Sequence, residues 1–275
     1  NSVAGNTVLG ELALDAAVTG GNNTAIGKSA LTANTSGTQN VAVGSLALDA
    51  NTTASDNIAI GYSSLGANTT GTLNIGIGSL AGDAITTGDQ NITIGYRSLS
   101  ANETGGNNIA IGVDSQKVST ASNNTSVGYD TLKANTTGTQ NTSIGGISLD
   151  ANTTGDFNTG LGYASLSSNT TGSSNTGVGL SALYSNTTAE HNTAVGREAL
   201  ILNTTGTRNT AVGSLALDAN TTASNNTGVG YAALGANTTG VNNVAVGRQA
   251  LQANTTAAYN VAVGDQALYN NTTGT

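Results

Sequence analysis

Few residues of this chain could do chemistry, and their spacing decides which kinds. His191 is the single histidine in 275 residues, and Cys is absent. That removes thiolate nucleophiles, disulfide frameworks and Cys-rich zinc sites. Asp15, Asp49, Asp83, Asp150 and Asp218 recur at one phase of a short repeat but never in successive copies. The pattern is too sparse for the carboxylate ladders that hold calcium in repeat rolls. Gly160-Leu161-Gly162 lacks the βαβ surroundings of a dinucleotide site. No catalytic, cofactor-binding or metal-ligating residue is assigned, and no cofactor is expected. A hydrolase acting along a groove needs paired carboxylates, so the chain is expected not to be an enzyme.

Two other residue sets could mediate contacts. Tyr62, Tyr96, Tyr129, Tyr163 and Tyr231 share one phase of the repeat. If exposed, they form a broken aromatic stripe able to stack on sugar rings or anchor a protein partner; packing against a neighbouring copy is the plainer alternative. In the turn segment thirteen Asn-x-Thr/Ser triplets, from Asn34-Thr35-Ser36 through Asn102-Glu103-Thr104 to Asn271-Thr272-Thr273, match the glycosylation sequon. At one per repeat they would lie about 5 Å apart, too crowded for a glycan on each, so turn chemistry is the preferred reading.

The element that must position these side chains is the repeat itself. Asn opens a unit at Asn6, Asn23, Asn40 and onward to Asn260, sixteen times, with a period of seventeen residues that slips to sixteen once, between Asn108 and Asn124. A fixed short period means one small unit stacked on copies of itself, which is a solenoid. Counting from that Asn, position 2 is Thr, Ile or Val, position 3 is mostly small, position 4 is Ile, Val or Leu, and position 5 is always Gly. This predicts a short strand ending in a bend whose geometry a Cβ would obstruct. Position 8 is small and position 9 is Leu in fourteen units, with Gly82 and Gln116 as exceptions. Asn-Thr-Thr-Gly then supplies a turn.

Seventeen residues cannot hold a strand and a full helix, so a flattened all-β coil is expected. The expected structural ladder is Asn23, Ile26, Gly27, Leu31 and Asn34 in one coil, and Asn192, Val195, Gly196, Leu200 and Asn203 in another. Position 4 and the Leu of position 9 are expected to form two apolar columns filling the interior. The recurring Asn is expected to stack its amides along the axis and satisfy backbone groups at the bend. Both faces of the strand are nearly free of charge, and such a strand is normally covered on both sides. One narrow coil covers one side, so oligomerisation is expected, with the small residues of position 3 letting chains approach closely. The alternative is that those small residues sit inside a very thin roll.

Charged residues make up 8% of the chain, the formal net charge is −8 and the pI is about 4.2. This argues against binding nucleic acid or an anionic membrane. No apolar run reaches the ~20 residues of a spanning helix, so membrane insertion is not expected of this segment. The pattern continues through 1–275 without a composition break, so one continuous solenoid of sixteen repeats is expected. With no Met, and with both ends falling in the turn, it reads as a piece of a longer polypeptide or the mature part of a processed one. Ser45 to Ser55 recurs identically at Ser214 to Ser224, a sign of growth by duplication.

Asn-Thr-Ala-Val-Gly at 192–196 and 209–213, and Asn-Val-Ala-Val-Gly at 243–247 and 260–264, resemble the head repeats of trimeric autotransporter adhesins. The longer unit with Ala-Leu and Asn-Thr-Thr-Gly is also similar to repeats of phage tail fibres. The resemblance spans essentially the whole chain and implies a left-handed parallel β-roll of three chains side by side. It implies a non-catalytic extracellular fibre, filament or adhesin, on a cell surface or virion, with a host-surface or glycan receptor as possible partner. The adhesins' repeat is shorter, and their anchor and stalk have no counterpart in this sequence. An ice-binding roll is the alternative, since Asn6-Thr7-Val8-Leu9-Gly10 fits the Asn-x-Val-x-Gly repeat of some such rolls. Against it, the Thr of position 2 gives way to Val or Ile from Val41 to Ile109.

Overall fold

Each Asn-x-small-aliphatic-Gly segment forms a strand of three residues, positions 2 to 4, because β-branched side chains favour extended backbone and the following Gly bends it. The computed structural model describes residues 3–274. The turn expected at Asn1 and Ser2, and Thr275, lie outside the described residues. The chain divides into two compact units, Asn1–Thr137 and Gly138–Thr275. The first carries β1 (Thr7–Leu9), β2 (Thr24–Ile26), β3 (Val41–Val43), β4 (Ile58–Ile60), β5 (Ile75–Ile77), β6 (Ile92–Ile94), β7 (Ile109–Ile111) and β8 (Thr125–Val127). The second carries β9 (Thr142–Ile144), β10 (Thr159–Leu161), β11 (Thr176–Val178), β12 (Thr193–Val195), β13 (Thr210–Val212), β14 (Thr227–Val229), β15 (Val244–Val246) and β16 (Val261–Val263).

Within each unit every strand pairs in parallel with the next and in full register. Thr24, Ala25 and Ile26 face Val41, Ala42 and Val43 in the first, and Thr193, Ala194 and Val195 face Thr210, Ala211 and Val212 in the second. The protein is an all-β parallel solenoid with coils of about seventeen residues, and no helix occurs among the described residues. Coils are numbered below from their opening Asn, so the first begins at Asn6 and the seventh at Asn108.

The interior corrects one expectation. Position 4 does not fill the core. Position 3 does: Ala25, Ala59, Ala110, Ala194 and Ala245 are fully buried, while Ile26 is half-buried and Val195 is 37% exposed. Position 9 is inside as expected, with Leu31 and Leu200 fully buried. The reason is the thinness of the coil. A Cβ added to Gly76 would come within 2.5 Å of Ser64 Oγ and 2.8 Å of Leu65 Cγ. From the second coil onward position 3 is only Ala, Gly, Ser or Thr, and Val8 stands in the first coil, where it is exposed. The small residues therefore line the thin roll, and it is the large β-branched residues that face outward.

The leucine column adopts a backbone that Leu rarely takes. Leu31 has φ 53° and Leu200 φ 52°, and positions 7 and 17 are left-handed as well, as at Ser29 and Gln39. Such a conformation costs an L-residue about 1–2 kcal/mol, roughly what is recovered by burying a Leu side chain, about 1.5–3 kcal/mol. What it achieves is direction. At these corners the peptide N–H still reaches an adjacent coil: Ser29 N donates to Glu11 O (2.8 Å), Leu31 N to Ala47 O (3.0 Å) and Gln39 N to Gly21 O (3.2 Å). The bend at position 5 is tighter. Gly196 has φ 138°, and a Cβ there would sit 2.5 Å from Gly213 O. Both the angle and the close approach expected of this glycine are present.

Two columns of buried asparagine amides run through each unit. At position 1, Asn192 Oδ1 accepts from Asn209 N (2.9 Å) and Asn192 Nδ2 donates to Gly206 O (2.8 Å) across its own coil. At position 12, Asn51 Nδ2 donates to Asn34 Oδ1 (3.0 Å) and to Ala54 O (3.1 Å). An amide suits this role because it is donor and acceptor at once, so identical side chains can bond in a chain. Replacing Asn192 by Ala orphans the buried Asn209 N–H, and urea unfolding should show a loss of about 2–4 kcal/mol.

The fifth coil shows how the core tolerates an exception. Gly82 stands where Leu is the rule, and Ile85 stands where Asn is the rule. A Cβ on Gly82 would lie 2.9 Å from Ile85 Cδ1, so the Ile side chain occupies the space of the missing Leu. The exchange leaves Asn68 Oδ1 buried without a partner, since no amide follows it in the column. Gly82→Leu alone should overpack the core and lose about 1–3 kcal/mol. Ile85→Asn alone should leave a cavity and lose about 2–4 kcal/mol. The double variant restores both columns, and a double-mutant cycle should return a favourable coupling of at least about 1 kcal/mol.

Candidate functional site

Side chains at position 6 follow the Gly bend and point away from the core. All five tyrosines expected to make surface contacts are exposed there, from 44% at Tyr96 to 60% at Tyr129. None of these rings lies in the core. Tyr62, Tyr96 and Tyr129 occupy alternate coils of the first unit, about 9.6 Å apart at two strand spacings each. Tyr163 and Tyr231 lie four coils apart in the second unit. The structure therefore makes no continuous stripe.

Around Tyr96 and Tyr129 the column gains a polar border. Arg97 stacks over the Tyr96 ring at 4.6 Å from its centroid and donates from Nη2 to Asp114 Oδ2 at 2.9 Å. Lys133 Nζ donates to Asp130 Oδ2 at 2.8 Å. This hydrogen bond, with the nearby charges of Asp130, Tyr129 and Asp114, holds the Lys133 ammonium above its ordinary pKa. Asp114 and Asp130 share position 7 in successive coils and are largely buried, whereas Lys133 is exposed enough for solvent to screen it. Below them the seventh coil departs from the rule. Gln116 replaces Leu and donates to Ile109 O (2.9 Å) and Ser126 Oγ (2.9 Å), and Ser115 Oγ contacts Ser126 Oγ and Thr131 Oγ1. This polar core was not legible beforehand. The Gln and the one-residue deletion marked the place, but not what it contained.

The second surface is the outer face of the sheet. Positions 2 and 4 line it in every coil, and it carries no charge. In the first unit β3 to β7 present only Val and Ile there, with Ile60 at 39% exposure. In the second unit β9 to β14 present Thr at position 2 and Ile, Leu or Val at position 4.

The remaining candidates resolve simply. His191 sits at a left-handed corner (φ 60°) with its ring in solvent. The sequon asparagines of the turn, from Asn34 to Asn254, are all fully buried in the amide column, so their Nδ2 atoms are inaccessible in the folded coil; Asn271, in the last coil, is half-buried. Among the described residues no group of three or more His, Cys, Asp or Glu could hold a metal ion, and no helix is long and apolar enough to cross a membrane. An open depression lined by Val8, Leu14 and Val18 is the uncovered end of the first coil. Compared with protein-family models, curated proteins and solved structures, the chain matches none.

Three of the position-10 aspartates, Asp49, Asp83 and Asp218, have their pKa raised by burial, partly opposed by backbone hydrogen bonds. A carboxyl raised in the folded state binds its proton more tightly there than when unfolded. Its stabilising contribution is present below the unfolded value and is lost as pH rises through the folded one. Asp83→Asn and Asp218→Asn should therefore raise the melting temperature at pH 7, and the gain should vanish near pH 3.

Proposed function

We propose that this chain is a non-catalytic structural segment of an extracellular fibre: the shaft or adhesive head of a surface appendage or virion. In it three copies run side by side, each a left-handed roll. The reading is carried by the outward display of positions 2 and 4. Monomeric proteins rarely leave a contiguous aliphatic patch of several hundred Å² in water. Here Val41, Val43, Ile58, Ile60, Ile75 and Ile77 form an uninterrupted outward aliphatic run on β3 to β5, and it continues through β7. A sheet apolar on its outer face is normally covered. A second copy with the same coil spacing offers a matching set of ridges at every repeat. The interface thus belongs to the large residues rather than the small ones, which are committed to the core. The likeness of the Asn-Thr-Ala-Val-Gly units to trimeric adhesin heads supports three copies and an extracellular setting.

A second reading, an ice-binding roll, draws on one observation. Thr142, Thr159, Thr176, Thr193, Thr210 and Thr227 make an unbroken outward column in the second unit, beside an aliphatic column at position 4. Hydroxyl and methyl groups spaced so regularly can order water.

Light scattering on the purified chain should give three times its 26.8 kDa mass. Ile75→Asp with Ile77→Asp should yield monomers whose circular dichroism keeps the β signal, because these side chains face outward. A monomeric parent chain showing thermal hysteresis would replace the fibre reading with the second one.

A further inference from the structure

Charge is scarce in this chain, yet it gathers at one place. Three of its seven Lys and Arg residues, Arg97, Lys117 and Lys133, fall within the sixth to eighth coils, beside Asp114 and Asp130. The same stretch carries Tyr96 and Tyr129 at position 6, with Val113, itself exposed, between them. Nothing in the solenoid's construction calls for this. Tyr163 holds the equivalent position with Gly146 and Leu180 beside it and no ion pair. We infer that the outer edge of the sixth to eighth coils is a glycan-binding patch, with Tyr96 and Tyr129 as stacking platforms and Arg97 and Lys133, held by Asp114 and Asp130, as donors to sugar hydroxyls. This deepens the adhesive-fibre reading and rests on it for its biological setting.

The chemistry fits a sugar better than other partners. A pyranose has an apolar face of C–H groups and an edge of hydroxyls that both donate and accept. Exposed tyrosine rings match the first, since they offer large apolar area at low entropic cost. The Arg97 guanidinium and the Lys133 ammonium, each fixed by a carboxylate, match the second as donors. The two pairs are already formed (2.9 Å and 2.8 Å), so little side-chain freedom is lost when a ligand arrives. Their charges cancel, which gives no attraction to a polyanion and leaves hydrogen bonding as the means of recognition.

Asp114 and Asp130, each only 8% exposed, fix the two more exposed cations in place. The floor from Tyr96 to Tyr129 spans two strand spacings, about 9.6 Å, which is longer than a single sugar ring. Oligosaccharides should therefore bind more tightly than monosaccharides.

The test is a tyrosine-fluorescence and NMR titration of the full chain. Its probes are neutral mono- to hexasaccharides of glucose, galactose, mannose and N-acetylglucosamine. At least one oligosaccharide should bind saturably and at least tenfold tighter than its monosaccharide. Tyr96→Ala and Tyr129→Ala should each weaken binding tenfold or more, and Asp114→Asn with Arg97→Gln should do the same. Tyr163→Ala should leave it unchanged. Circular dichroism confirms that each variant keeps its fold. The inference is overturned if no probe binds saturably, or if the Tyr96, Tyr129 and Tyr163 variants behave alike. Light scattering judges the fibre separately, so a trimer that ignores sugars sinks this inference alone.

Discussion

Hydrogen bonding along the stacking direction, from every side of a coil to the coils above and below it, is the constraint on which the rest depends. The strand supplies only three residues of it. The corners supply the remainder, through residues held at positive φ so that their N–H groups stay aligned with the stack. Asparagine amides continue the same pattern inside the coil, in columns where each side chain is acceptor for one neighbour and donor for another. A buried polar group is tolerated only when satisfied, and in-register stacking of identical side chains satisfies nearly all of them. Register is thereby enforced by polar groups as much as by the leucine column.

This arrangement sorts thirteen of the seventeen positions into two kinds. Positions 1, 3, 5, 8, 9 and 12 face the interior or touch the adjacent coil, and their choices are narrow: Asn, a small residue, Gly, Leu. Positions 2, 4, 6, 7, 10, 16 and 17 are on the outside, and of these 6, 7, 10, 16 and 17 vary widely while 2 and 4 stay β-branched or aliphatic. Chemistry can be added to the outside of a coil without disturbing its inside, which is why tyrosines and ion pairs stand on some coils and not on others while the core repeats. Coils five and seven break the rule internally. In the fifth, Ile85 restores the volume that Gly82 removes. In the seventh, Gln116 and three hydroxyl residues make a polar core that is hydrogen-bonded almost throughout, with Gln116 Oε1 left over.

The outer sheet faces of the two units differ in a way that bears on function. That of β3 to β7 is wholly aliphatic, and that of β9 to β14 alternates hydroxyl-bearing and aliphatic residues. Aliphatic surface gains most from being covered by another chain, whereas threonine holds hydration water more readily. In the proposed fibre, the edges where the position-6 side chains stand are what is left for adhesion once these faces are covered.

Period, strand, bend and turn were legible in the sequence, because each is local: a Gly that no Cβ can replace, an Asn that recurs in phase, β-branched residues on either side of a small one. The buried leucine column was legible for the same reason. Which side of the strand faces in was not. Alternation says that positions 2 and 4 share a face, and hydrophobicity favours burying it. The thinness of the closed coil overrules that preference, since only a small side chain fits between opposite walls. The candidate site was half visible. The shared phase of Tyr62, Tyr96, Tyr129, Tyr163 and Tyr231 could be counted, but their exposure depended on the direction in which the Gly bend throws position 6. The pairing of Arg97 with Asp114 crosses from one coil to the next. Only stacking brings such residues together, because neighbours along the axis lie a full period apart in the chain.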